Sequence, residues 1–332
     1  MIIKNVELNR RLFFSDRVLI NTDKKRISFE AEWSENLVNE ISRKISNFRI
    51  ESGNDFVMLR RILGNIDEKK YFVIENAIFK SIENQWRFFN PSAFQVPRPL
   101  SVVYKKNKGI SEYIVFSLNA KNFLVALDAN RHVADKLRKK LENAENPDEK
   151  DVLITLKEAA DEEHGLIDFE LRFGVTFNNY RNGKYVYNGK SLSSEEQFDF
   201  VCSLIEKYNL VYIENPFFEG DIKLYKKLTD RFRKKGIICM NSKINDYTKG
   251  LNKRAFNGAV LKFENLANMK NDAENFTDGK INIIVEGADD AMDAAVGLGI
   301  PLVKITDDKT GNAAADRLNR ISEEILKFRQ KK

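Results

Sequence analysis

Two cysteines and two histidines in 332 residues leave few parts for several kinds of chemistry. Cys202 falls in a helical segment and Cys239 in a strand, with no pairing pattern and no metal-ligand spacing. Both read as small core residues rather than redox groups. With only His132 and His164 present, a zinc centre or a serine–histidine triad would be short of components. No stretch reaches the roughly 18 consecutive apolar residues that a membrane span requires. The start, Met1-Ile2-Ile3-Lys4-Asn5-Val6-Glu7-Leu8, has the pattern of a strand and lacks the apolar block of a secretory leader, so a cytoplasmic protein is expected.

A strong charge of one sign is missing too. Fifty-five basic against 49 acidic residues give +6, which allows an anionic partner without demanding one. Basic clusters occur at Arg138-Lys139-Lys140, at residues 231–235 around Phe232, and in the tail 327–332. The simpler reading makes them solvated faces and C-terminal turns of helices, where cations suit the helix dipole. The sharper one is nucleic-acid binding. Hydrophobic content of 42% supplies core enough for two domains, or for one barrel with an appendage.

Prolines are scarce, and three of the six stand close together at Pro91, Pro97 and Pro99. Proline restricts its predecessor and cannot continue a helix, so a domain boundary near residue 95 is expected. Before it, short alternating runs at 2–8, 18–21 and 27–32 predict strands, and residues 37–48, 55–63 and 71–89 predict helices. After it come a strand at 113–118, a helix at 123–141 and a polar loop at 143–151. Tyr180 to Lys190 predicts a hairpin turning at Asn182-Gly183. Ser193 with Glu196 three residues on forms a capping box, and Phe198, Val201, Leu204, Ile205 and Tyr208 share one helical face. Strands at 210–214, 237–240, 259–263, 281–286 and 302–305 then alternate with helices at 221–235, 248–256, 266–276, 289–298 and 313–328. Repeated βα units imply a parallel sheet covered by helices. A closed barrel fits best, with an open doubly wound sheet as the alternative.

Four of these strands end in a charge: Ile213-Glu214, Leu261-Lys262, Val285-Glu286 and Val303-Lys304. Burying a charge is costly unless it is paired or has a task. In a barrel, function gathers at the C-terminal strand ends, so these charges predict one shared mouth.

Ser191-Leu192-Ser193-Ser194-Glu195-Glu196-Gln197, Leu204-Ile205-Glu206-Lys207-Tyr208 and Val211-Tyr212-Ile213-Glu214-Asn215-Pro216-Phe217 together resemble the middle of an enolase. Met1 to Val6 resembles the first enolase strand. Gln95-Val96-Pro97 and Ser111-Glu112-Tyr113-Ile114-Val115 resemble the start of its barrel. Val260-Leu261-Lys262, Ala295-Val296-Gly297-Leu298-Gly299 with Val303-Lys304, and residues 317–324 resemble the segments bearing the family's two lysines and its last helix. The resemblance implies an α/β fold: a (β/α)8 TIM-type barrel at 96–332 under a reduced α+β cap at 1–95. It also implies a lyase that dehydrates 2-phosphoglycerate with two magnesium ions.

Several of the family's parts are replaced. Of three metal carboxylates only Glu214 remains, with Thr176 and Met240 in place of the other two, Asn241 following, and Asn215 replacing a neighbouring aspartate. Thioether is a poor partner for magnesium. The mobile serine-rich loop of the cap has no counterpart near 27–40, and the loop supplying the family's acid is lost within 143–161. Tyr104 to Gly109 replaces a glycine- and histidine-bearing segment. The phosphate-holding segment is reduced to Val285-Glu286-Gly287-Ala288. The survivors, Lys262, Lys304, Glu112 and Glu214, read either as repurposed catalytic groups or as a salt-bridge network filling the mouth.

The resemblance therefore implies a degenerate enolase relative without cofactor, binding magnesium weakly at most. It would act by binding a protein partner or its own copy, with no membrane association. An altered lyase using the two lysines, and an RNA- or ribosome-associated module carried by the basic helix and tail, are the rivals. Gly189-Lys190-Ser191 imitates a phosphate loop, but Lys184 stands where its first glycine belongs. Asp161-Glu162-Glu163-His164 imitates a ligand run and reads as a solvated helix end.

Overall fold

Caps and alternation set most of the elements of this chain. They are seen in a computed structural model that describes residues 1–9, 16–82, 85–87, 96–144, 147–187, 190–241, 244–262, 266–306 and 308–330. The chain folds as two units. The first comprises residues 1–94 with 263–274 and 296–299, and the second the remainder.

In the first unit, β1 (Ile3–Asn9), β2 (Arg17–Thr22) and β3 (Arg26–Glu30) form an antiparallel sheet in that order. Three helices follow: α1 (Glu35–Ile45), α2 (Gly53–Leu63) and α3 (Glu68–Lys80). The Ser34 hydroxyl accepts from the Leu37 amide, Ser52 and Asp55 make a capping box, and Asp67 accepts from Lys69 and Lys70. The helix expected over 71–89 starts earlier and ends at Lys80, where the Ser81 hydroxyl donates to the Ile78 carbonyl and tightens the last turn. The boundary expected near residue 95, with Pro91, falls on residues 88–95, outside the described set.

The second unit is built on β4 (Arg98–Lys105), β5 (Ile110–Leu118), α4 (Phe123–Leu141), α5 (Glu149–His164) and β6 (Glu170–Phe177). A small sheet follows, of β7 (Tyr180–Arg181), β8 (Lys184–Tyr187) and β9 (Lys190–Leu192). Then come α6 (Ser194–Tyr208), β10 (Leu210–Glu214), α7 (Ile222–Phe232), β11 (Ile237–Met240), α8 (Ile244–Asn252) and β12 (Gly258–Lys262), followed in the chain by α9 (Leu266–Asp278), most of which belongs to the first unit. The series closes with β13 (Asn282–Glu286), α10 (Asp289–Gly297), β14 (Leu302–Ile305) and α11 (Lys309–Gln330). Eight strands close into a barrel in the order β10-β11-β12-β13-β14-β4-β5-β6.

One strand departs from the parallel sheet expected. β5 runs antiparallel to both β4 and β6. Only a short turn at residues 106–109 joins β4 to β5, and so short a connection can return the chain but cannot cross it over. β4 itself went unrecognised in the sequence because Pro99 interrupts its pattern, yet it pairs with β14 along its first residues. The loop expected at 143–151 ends sooner, since Asp148 caps α5. Nor is the 161–164 run a solvated end throughout: Glu163 is 3% exposed, held by Lys136 at 2.8 Å and His132 at 3.1 Å.

The interior is packed with Leu100, Val102, Ile114, Tyr212, Cys239, Val260 and Ile284, all buried. Among the described residues no helix is long and apolar enough to cross a membrane.

Candidate active site at the barrel mouth

Successive side chains of a strand point to opposite faces. Tyr212, Val260 and Ile284 fill the interior, so the residues two further on, Glu214, Lys262 and Glu286, face the same way one layer nearer the mouth. Register lines them up. Glu112 lies beside Thr176 and Thr176 beside Glu214; Lys262 lies beside Glu286 and Glu286 beside Lys304. The charges picked out at the strand ends therefore form one polar ring.

Glu214 is its centre. It is 1% exposed, and both carboxylate oxygens are taken. Oε2 accepts from Tyr212 Oη at 2.7 Å, Lys304 Nζ at 2.8 Å and Thr176 Oγ1 at 3.0 Å. Oε1 accepts from Asn241 Nδ2 at 2.9 Å. Burial alone would push this carboxyl up, but the ammonium of Lys304 and the hydrogen bonds to Lys304, Asn241 and Tyr212 outweigh it and hold the carboxyl below its ordinary range.

Lys304 is equally committed. At 3% exposure its desolvation would lower its pKa, yet Glu214, Glu112 and Glu286 together raise it above the ordinary lysine value. Its Nζ lies 2.5 Å from Glu112 Oε2, a contact by charge and distance rather than an aligned hydrogen bond. Lys262 differs. It is exposed and makes no ion pair among the described residues. The two ammonium groups thus occupy opposite environments, one sealed and one in water.

Met240, which stands where the resemblance expects an aspartate, lies on the opposite face of its strand from this cluster. Cys239 belongs to the interior cluster, so alternation turns its neighbour Met240 to the other side of β11, where it is buried. Asn241, not Met240, reaches Glu214. Thr176 does stand beside Glu214, donating its hydroxyl. Burial beside the Glu214 charge pushes the Cys239 thiol well up, which keeps it inert.

Two contributors escaped sequence reasoning. Tyr212 sits two residues before Glu214, a spacing that places its hydroxyl under the carboxylate. Gly174 makes the room: a Cβ there would stand 2.6 Å from Tyr212 Cβ. A glycine inside a strand signals close approach, and this was the available clue.

Magnesium wants a nearly octahedral set of hard oxygens. Here the Glu214 carboxylate is saturated by four donors, Asn241 turns its NH2 group toward it, and an ammonium already stands against it. Among the described residues no group of three or more His, Cys, Asp or Glu side chains could hold a metal ion.

Beside the ring, at the ends of β6, β10 and β11, lies a cavity of about 330 Å³ lined by Asn178, Asn179, Arg181, Asn215, Glu219 and Asn241 among others. Asn215 has φ of 51°, a left-handed conformation that asparagine tolerates, and its Oδ1 accepts the Asn241 amide at 2.7 Å.

No family model matches the chain. Curated relatives do. It is 41% identical over 91 residues to the enolase of Pyrobaculum aerophilum, covering 26% of this chain and 22% of that protein. It is 26% identical over 167 residues to the enolase of Natronomonas pharaonis, covering 46% and 42%. With the enolase of Methanosphaera stadtmanae it shares 24% identity over 254 residues, covering 64% and 59%. The chain thus spans between about a fifth and three fifths of the length of these relatives.

Proposed function

Because this chain is a relative of the archaeal enolases, we propose that its barrel mouth has exchanged metal-assisted dehydration for an internally neutralised ionic plug, and that it acts by binding. The observation that supports this reading is the saturation of Glu214 by Tyr212, Lys304, Thr176 and Asn241. A proton next to a carboxylate is so weakly acidic that a lysine base needs metal ions to stabilise the ene-diolate. Forfeiting several kcal/mol of that stabilisation costs about a decade of rate per 1.4 kcal/mol. Neither magnesium nor another cofactor belongs to this reading. A protein partner, or a second copy of the chain, is the expected occupant.

The deciding assay follows conversion of 2-phosphoglycerate with magnesium present. Turnover at background level is expected. A rate within tenfold of ordinary enolases contradicts the proposal.

A second reading is a lyase of altered substrate and metal dependence, favoured by the exposed Lys262, which makes no ion pair among the described residues. It asks Lys262 to act as base without help from Lys304, whose charge is spent on Glu112 and Glu214. Exchange of the α-proton of a small carboxylic acid with deuterated water, abolished by Lys262→Met, would support it. Nucleic-acid binding through the basic helix draws less support. On α7, Lys226 is paired with Asp230, Arg231 with Glu206, and Lys227 lies over the Phe198 ring. The side chains of 328–330 and residues 331–332 lie outside the described set.

A further inference from the structure

We infer that the cavity beside the ionic ring is a binding site for a small zwitterion, of the α-amino acid class. The inference goes beyond the protein partner or second copy proposed above, and its test does not depend on enolase turnover.

The first observation is how firmly the walls are held. Gln197, fully buried, donates from Nε2 to the Pro216 carbonyl at 2.8 Å, and its Oε1 accepts the Tyr187 hydroxyl at 2.8 Å. The Tyr185 hydroxyl accepts the Phe218 amide at 2.9 Å and donates to Asp221 at 2.7 Å. The Tyr225 hydroxyl donates to the Phe217 carbonyl at 3.0 Å. Three large buried side chains, Gln197, Tyr185 and Tyr225, thus spend polar atoms on fixing residues 216–218, with Tyr187 holding Gln197 in turn. A loop held in one conformation loses less entropy when a ligand arrives.

The second observation is which groups are left over. Asn215 and Asn241 have each committed one amide atom, leaving, among the described residues, Asn215 Nδ2 as donor and Asn241 Oδ1 as acceptor. Asn178 Oδ1 accepts from Arg181, which leaves, among the described residues, Asn178 Nδ2 and three further N–H groups of the guanidinium. Arg181 and Glu219 line the same cavity with opposite charges and form no ion pair with each other. Phe218, 39% exposed, stacks on Tyr180 with ring centroids 4.5 Å apart and supplies a flat apolar wall.

Two opposite charges and several amides lining one cavity fit a molecule with its own two charges. A carboxylate would take Arg181 and the free amide donors, and an ammonium would take Glu219 and Asn241 Oδ1. The side chain would lie against Phe218. At about 330 Å³ the space is at the lower end of small-molecule sites, which suits an amino acid.

The test is calorimetry and thermal shift on the full chain with a panel of free L-amino acids, each compared with its decarboxylated amine and its deaminated acid. Binding of one or more amino acids is expected, with each truncated compound weaker by at least about tenfold, the loss of roughly one charged contact. Arg181→Ala should abolish the preference for the amino acid over its amine. Glu219→Gln should abolish the preference over the deaminated acid. Both side chains are exposed, so neither change threatens folding. No heat and no stabilisation with any amino acid at millimolar concentration overturns the inference. So does binding that both variants leave unchanged.

Discussion

Lys304 Nζ lies 2.8 Å from Glu214 Oε2, and both side chains are almost sealed from solvent in the mouth of the barrel. A buried pair of this kind adds little net stability relative to an apolar pair of equal shape, but breaking it strands a charge. Lys304→Met and Glu214→Gln should each destabilise the chain by about 3–5 kcal/mol. Together they should cost less than their sum by roughly 0.5–3 kcal/mol, since each removes the charge the other leaves unpaired. Urea denaturation of the four species measures this; strict additivity would disprove the pairing.

The same pair sets a pH window. The Glu214 carboxyl is held down in the folded chain, so its contribution is present above the unfolded carboxylate value of about 4.3 and is lost as pH falls through the lower folded value. The Lys304 pKa is raised, so its contribution is fully present below the unfolded value of about 10.4 and is lost as pH rises through the higher folded value. Melting temperature should therefore hold a plateau between those limits and fall on both sides. A chain that gains stability on acidification below the carboxylate range would not contain this network.

Gly174→Ala should destabilise by about 1–3 kcal/mol, because the new methyl meets the Tyr212 side chain and backbone at once. Tyr212→Phe in the same background should not restore it, as the clash involves Tyr212 Cβ and Cδ1 rather than the hydroxyl. Full recovery on that second change would place Tyr212 elsewhere.

Much of this was legible in the residues. The Asn182-Gly183 turn takes φ of 49° and 81°, and Ser193 and Glu196 close the box their spacing announces. β10, β11 and β14 begin and end where the apolar runs do. Charges at strand ends found the mouth, because a charge that closes an apolar run is costly unless it is paired there. Three things stayed hidden. Whether Met240 or Asn241 faces inward depends on the parity of β11, which Cys239 fixes only once the barrel closes. Spacing along the chain does not reveal the neighbours of Glu286; lateral register puts it between Lys262 and Lys304. The antiparallel β5 depends on how two neighbouring strands are joined, and alternation does not reveal direction.

Restoring oxygen ligands should restore cation binding. Thr176→Asp with Asn241→Asp surrounds Glu214 with two new carboxylates in place of two donors. Magnesium should then raise the melting temperature of the double variant, by an increment equivalent to about 2.7 kcal/mol at a hundredfold excess over Kd. The unaltered chain should show no such rise. An equal rise in both would mean that the native mouth already holds the ion.

The most direct measurement is a crystal of the unaltered chain soaked in magnesium and read at the Glu214 carboxylate. The expected density shows the carboxylate still bridging Lys304, Tyr212, Thr176 and Asn241, with no ion among them. An ordered divalent ion bound by Glu214 together with side-chain oxygens of Thr176 and Asn241, and Lys304 displaced, would contradict it.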